Sequence, residues 1–113
     1  MKKSVFITGA ATGSGRATAL SFARGGYLVG GYDVDDAGLK LLAADIRAVG
    51  GAGVVGHLDV TDVDQMAARL TEFVADTGGR LNVMINNAGL LSAGAFEEIP
   101  VAVHHRDIDV NIK

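Results

Sequence analysis

Short apolar runs alternate with helical stretches along almost the whole chain, and this alternation restricts the fold more than any other feature. The runs cover residues 4–8 (SVFIT), 27–32 (YLVGGY), 52–58 (AGVVGHL) and 81–86 (LNVMIN). Each is short and rich in Val, Ile or Leu, as parallel strands buried on both faces tend to be. Between them, Leu39, Leu42, Ala43, Ile46 and Val49 recur with the spacing of one helix face, and Gly50 and Gly51 supply a stop. Val63, Met66, Ala67, Leu70, Phe73 and Val74 repeat the pattern, opened by Thr61 or Asp62 as N-cap and closed before Gly78 and Gly79. Residues 15–24 form a third helical stretch whose small side chains suit close approach to a sheet. Strand and helix in strict alternation predict an α/β fold with a doubly wound parallel sheet. A last helix is expected to open at Pro100 and run on to Lys113 with no stop signal, so the chain is expected to end inside an element.

At 113 residues there is room for one domain with a modest core. Composition narrows its partners. The formal charge of -3 offers no basic patch for a nucleic-acid backbone or an anionic membrane. The apolar run near the N-terminus stops at Thr8 and Gly9, too short for a signal segment or a membrane span. With no Cys, disulfides and thiolate metal sites are impossible, and a reducing cytoplasm suits the chain. His104 and His105 are adjacent, so on a helix they point to different sides and do not jointly ligate a metal. No metal site is expected.

Glycine is over-used, at 16 residues against a single Pro, and its placement carries the chemistry. The first strand runs straight into Thr8-Gly9-Ala10-Ala11-Thr12-Gly13-Ser14-Gly15 and then a helix. Glycines there allow a tight turn and let backbone N–H groups reach phosphate oxygens, while the helix N-terminus adds about half a positive charge. The spacing is not G-x-G-x-x-G, because Thr18 stands where the third glycine would fall, and no Gly-Lys-Ser/Thr follows as in a P-loop. A kinase or GTPase is disfavoured. Asp33 ends the second strand, where a carboxylate accepts hydrogen bonds from ribose hydroxyls and repels a 2'-phosphate. A solvated acidic turn or an N-cap, with Asp35 and Asp36 as neighbours, is the alternative reading. Asp59 is a candidate cap for the following helix, with Thr61 and Asp62 beside it.

Thr8-Gly9-x-x-x-Gly13-x-Gly15 resembles the cofactor loop of the short-chain dehydrogenase/reductase family, and four further segments agree in order. Asp33 closes the second strand, Asp59-Val60 is similar to the family's adenine-contacting pair, and Asn86-Asn87-Ala88-Gly89 is similar to its N-N-A-G segment. Asn111 resembles the helix asparagine that joins a proton relay through water. The resemblance implies a Rossmann-type domain over residues 1–113, the N-terminal part of a longer enzyme. It implies cofactor contacts at Gly9, Thr12, Gly13, Ser14, Gly15, Asp33, Asp59, Val60, Asn87, Ala88 and Gly89, and a catalytic role for Asn111. It also implies hydride transfer between a nicotinamide and a small alcohol or carbonyl substrate, and a homo-oligomer, commonly a tetramer. NAD is expected rather than NADP, because Asp33 is acidic and no Arg or Lys occupies Thr12, Val34 or their neighbours.

The departures are equally specific. The family's reaction uses Tyr-x-x-x-Lys on one helix with a Ser upstream. Here Tyr27 and Tyr32 have Gly31 and Asp36 four residues on, and packing is their expected role. Ser14 replaces a bulky apolar residue, with little expected effect because the backbone binds the phosphate, and His104 stands where a Trp is common. Ser92, Asp107 and Asp109 are read as loop or surface residues. Without the Tyr-Lys pair, a noncatalytic NAD-binding module is the alternative function; an NADPH-dependent reductase is disfavoured by Asp33.

Overall fold

The computed structural model describes residues 2–87 and the backbone of residues 109–112. Five strands and three helices follow in the order β1 (Ser4–Thr8), α1 (Gly13–Arg24), β2 (Leu28–Asp33), α2 (Asp36–Ala48), β3 (Ala52–His57), α3 (Val63–Asp76), β4 (Val83–Asn86) and β5 (Asp109–Ile112). The sheet order is β3-β2-β1-β4-β5, with every pairing parallel. The chain therefore steps outward from β1 to β3, then returns to the other side of β1 as β4. That reversal leaves a crevice at the C-terminal ends of β1 and β4, where open α/β sheets take their ligands.

β1 is buried along its whole length, and its period of two sends alternate side chains into two separate cores. Val5 and Ile7 join Ala19, Val29, Leu42, Ile46 and Ile85 under α1 and α2. Phe6 joins Tyr32, Leu58, Met66, Leu70, Phe73 and Met84 under α3. The ring of Tyr32 stacks on Phe6 at 4.4 Å between centroids, and Phe73 meets Phe6 edge-on at 5.9 Å. This cluster accounts for a glycine inside β2: a Cβ on Gly30 would lie 2.8 Å from the Phe73 ring. Both tyrosines are packing residues, Tyr27 lying edge-on to Phe22 and Tyr32 buried. Burial pushes the Tyr32 hydroxyl far above its ordinary range, with the Glu72 and Asp76 carboxylates adding to it, so Tyr32 stays protonated near neutral pH.

Two of the helices are capped by aspartates. Asp35 accepts from the Gly38 amide at 3.0 Å to open α2, and Asp62 accepts from the Gln65 amide at 3.0 Å to open α3. The apolar stripes then bury Leu39, Leu42 and Ile46 from α2, and Met66, Leu70, Phe73 and Val74 from α3. An ion pair between Arg16 and Asp45 joins α1 to α2.

Besides shifts of one or two residues at the start of α1 (Gly13), at β2 (Leu28–Asp33) and at the end of β3 (His57), the structure departs from the sequence reading in two places. β4 starts at Val83 rather than Leu81, because the Asn82 side chain occupies the ladder, its Oδ1 accepting from the Ser4 amide at 2.9 Å. Leu81 is buried in the core beside the strand. The helix expected to reach Lys113 is replaced at residues 109–112 by β5, whose residues Asp109, Val110, Asn111 and Ile112 pair with Val83, Met84, Ile85 and Asn86. The apolar, β-branched Val110 and Ile112 alternate with polar residues, a period of two that suits a strand, and β4 offers a ladder edge for it. Asn111 therefore stands on a strand. The expectations for Ala88, Gly89, Ser92, Pro100, His104, His105 and Asp107 fall outside the described residues.

Candidate nucleotide-binding site

The loop from Gly9 to Thr12 fills the crevice between the β1 end and α1, and its shape is set by backbone demands. Gly9 and Gly13 have φ of 65° and 59°, where a side chain is strained. Gly15, in the first turn of α1, crosses directly against the loop: a Cβ there would stand 1.8 Å from the Gly9 carbonyl oxygen. No other residue type fits that crossing. Thr12 is the N-cap residue of α1, yet its side chain makes no capping bond and the first turn holds no acidic residue. In contrast to α2 and α3, the amides opening α1 receive no acceptor from a capping side chain, and the dipole there favours an anion. Thr12 and Ser14 are both exposed at this mouth.

One hydrogen bond ties the loop to β2 and two tie the end of β1 to the end of β4. The Ala10 amide donates to the Tyr32 carbonyl at 3.2 Å, the Asn87 amide to the Thr8 carbonyl at 3.2 Å, and the buried Thr8 hydroxyl to Asn86 Oδ1 at 2.6 Å. The last bond clamps the C-terminal ends of β1 and β4 across the crevice. Beside it, Asn87 Nδ2 is buried without a hydrogen-bond partner among the described residues. A buried amide nitrogen in that condition is costly unless a ligand or water completes it.

Asp33 sits at the rim. Its Oδ2 accepts from the Ala11 amide at 3.0 Å and its Oδ1 from the Asp35 amide at 3.2 Å, so the carboxylate links β2 to the glycine loop in a fixed orientation. A carboxylate has about four acceptor directions, and two remain for hydroxyl groups. Asp35 takes the cap of α2, which removes that role from Asp33. Asp59 is likewise not a cap, since Asp62 serves α3. Its Oδ1 accepts from the Thr61 hydroxyl at 2.6 Å and the Thr61 amide at 3.0 Å. These two bonds hold the Asp59 carboxyl below the usual range, with a smaller contribution from His57. Val60 turns its side chain into the α3-side core, which leaves its backbone as the part facing the strand ends.

Two contacts had no local signal in the sequence. Gln65 Oε1 accepts from the Asp59 amide, pinning the turn after β3 to α3. His57 Nδ1 lies 2.9 Å from Asp36 Oδ1, joining the end of β3 to the first turn of α2. Both depend on tertiary proximity. Of the sequence-derived candidates, the structure brings Gly9, Thr12, Gly13, Ser14, Gly15, Asp33 and Asn87 to the strand ends around one crevice, with Asp59 and Val60 one strand further out. The described backbone of Asn111 lies in β5, opposite Ile85.

A parallel sheet with a reversal beside β1, a glycine loop opening an uncapped helix and a carboxylate closing β2 define an α/β domain of the dinucleotide-binding class. The chain belongs to the short chain dehydrogenase family, which it matches over residues 3–113. It is 40% identical over 108 residues to "Probable oxidoreductase EphD" of Mycobacterium tuberculosis, covering 96% of this chain and 18% of that protein. It is 36% identical over 111 residues to an L-rhamnose 1-dehydrogenase (NAD(P)(+)) of a Sphingomonas species, covering 97% of this chain and 43% of that enzyme. Among solved structures, a short-chain type dehydrogenase/reductase from Mycobacterium marinum superposes with a TM-score of 0.73 at 34% identity, over 87% of this chain and 39% of that one. The chain thus spans less than half the length of these relatives. No helix among the described residues is long and apolar enough to cross a membrane.

Proposed function

We propose that this chain forms the cofactor-binding part of an NAD-dependent short-chain dehydrogenase/reductase that moves hydride between nicotinamide and the carbon of a small alcohol or carbonyl compound. The observation that carries this reading is the Asp33 carboxylate, held by the Ala11 and Asp35 amides beside a glycine loop whose Gly15 admits no side chain. The unpartnered Asn87 Nδ2 and the α1 amides left without a side-chain cap fit a polar, anionic ligand in the same crevice.

In this reading the backbone from Gly9 to Gly15, with Thr12 and Ser14 at its mouth, holds the pyrophosphate. Asp33 accepts the adenosine ribose hydroxyls, and Asp59 and the Val60 backbone border the adenine. Asn87 borders the cofactor, and the family resemblance extends that contact to Ala88 and Gly89. The bound nicotinamide supplies the hydride acceptor or donor. The protein's part is to orient it over the strand ends and exclude water, while the Thr8–Asn86 bond keeps the two sides of the crevice together. The relay role of Asn111 rests on the family resemblance alone. A homo-oligomer, commonly a tetramer, is also proposed on that ground, and a cytoplasmic location on the Cys-free composition.

The preference for NAD follows from charge. A 2'-phosphate brought to the Asp33 carboxylate meets repulsion with no Arg or Lys adjacent in sequence to offset it. Equilibrium titration with NADH and NADPH tests this: Asp33→Arg is expected to shift the affinity ratio toward NADPH by at least about tenfold. An unchanged ratio would remove Asp33 as the selector. A second reading, a binding module without turnover, is favoured by the packing of both tyrosines of this sequence into the fold. It predicts NADH binding with no oxidation of any alcohol.

A further inference from the structure

We propose that His57, through its pair with Asp36, is a second determinant of nucleotide choice beside Asp33, setting how strongly a 2'-phosphate is repelled. The inference rests on the dinucleotide reading above. In the β2–β3 ladder His57 is the register partner of Asp33, and the Leu58 amide donates to the Asp33 carbonyl at 3.0 Å. Residues paired in a parallel ladder project to the same side of the sheet, on strands about 5 Å apart. That side is the one covered by α1 and α2: Gly31 and Val55, two residues back along each strand, face Leu42 and its cluster. His57 and the selecting carboxylate are therefore neighbours on one face, at the strand ends where the ribose is held.

His57 contacts the Asp36 carboxylate, and other acidic residues stand at the neighbouring strand ends, while Arg69 of α3 lies against Gly56 on the opposite face of β3. β2 contributes Asp33, the turn into α2 contributes Asp35, α2 contributes Asp36 with Lys40 one turn further on, and the turn after β3 contributes Asp59. The His57 and Asp36 side chains are 51% and 70% exposed, so the pair is open to an approaching phosphate and to solvent protons. The Asp36 carboxylate gives the pair a negative charge, which His57→Arg would offset and Asp36→Asn would remove. A phosphate monoester of charge about -1.5 to -2 responds to that difference, whereas a ribose hydroxyl does not.

The test is fluorescence titration of NADH and NADPH on the protein carrying this sequence, at pH 8.5 in low salt, with His57→Gln, His57→Arg and Asp36→Asn alongside. His57→Arg and Asp36→Asn are expected to move the affinity ratio toward NADPH by about threefold relative to wild type, and the differences should shrink in high salt. Circular dichroism checks that each variant is folded. His57→Arg and Asp36→Asn ratios that both match wild type would overturn the role of His57 while leaving Asp33 in place. Wild-type protein that binds neither dinucleotide would overturn the nucleotide reading and this inference with it.

Discussion

Single atoms decide whether the loop after β1 can exist. Gly15→Ala puts a methyl group 1.8 Å from the Gly9 carbonyl oxygen, so either the loop or α1 must move. The expected cost is about 1–3 kcal/mol in stability, as for other overpacked positions, with NADH affinity reduced by more than about tenfold. Urea denaturation and NADH titration read the two effects separately. At Asp59 the sign of the pH dependence follows from its lowered proton affinity in the folded chain: the carboxylate form stabilises the fold above the ordinary carboxylate range, and that contribution is lost as pH falls through the folded value. The group is fully exposed, so the effect is best read at the site: in Thr61→Val, which removes the largest cause, the Asp59 titration followed by NMR is expected to move upward. Glycine spacing and the strand-end carboxylate made these positions legible in the sequence. The His57–Asp36 and Gln65–Asp59 contacts were not legible, because no local pattern tells which side chains from separate elements will meet.

Of the three described helices, α2 and α3 open on an aspartate cap and α1 does not, and the difference separates structure from function. Asp35→Ala and Asp62→Ala each remove an observed capping bond and are expected to cost about 1 kcal/mol in urea denaturation. Thr12→Ala removes no capping bond, so it is expected to cost less than either while weakening nucleotide binding. Equal losses at all three positions would contradict the assignment of the α1 N-terminus to a ligand. Four strands and three helices were readable because their periods of two and 3.6 are bounded by glycines and aspartates. β5 was not: Pro100 signals a helix start and nothing downstream signals a stop, while DVNI acquires its strand character by pairing with β4, a long-range contact that local spacing does not encode.

Across the molecule, β1 is the shared wall of two cores, and the site lies where its neighbours part. The Phe6–Tyr32–Phe73 cluster supports the β2 end from the α3 side, while Leu42 and Ile46 support it from the other. Phe73→Ala is expected to cost about 3–5 kcal/mol, a large part of the stability of a domain this size, and a loss under about 1 kcal/mol would show that the α3 core does not hold the sheet. The alternating order of the chain fixed this architecture in advance, whereas the clamp between Thr8 and Asn86 emerged only once β4 was seen to lie beside β1. The most direct test of dinucleotide binding at this crevice is NMR chemical-shift mapping of the backbone amides as NAD is added. Saturable shifts concentrated at residues 9–15, at Asp33 and around residues 59–60 are predicted. Shifts that are absent, or confined to the opposite ends of the strands near Ser4 and Asn82, would contradict it.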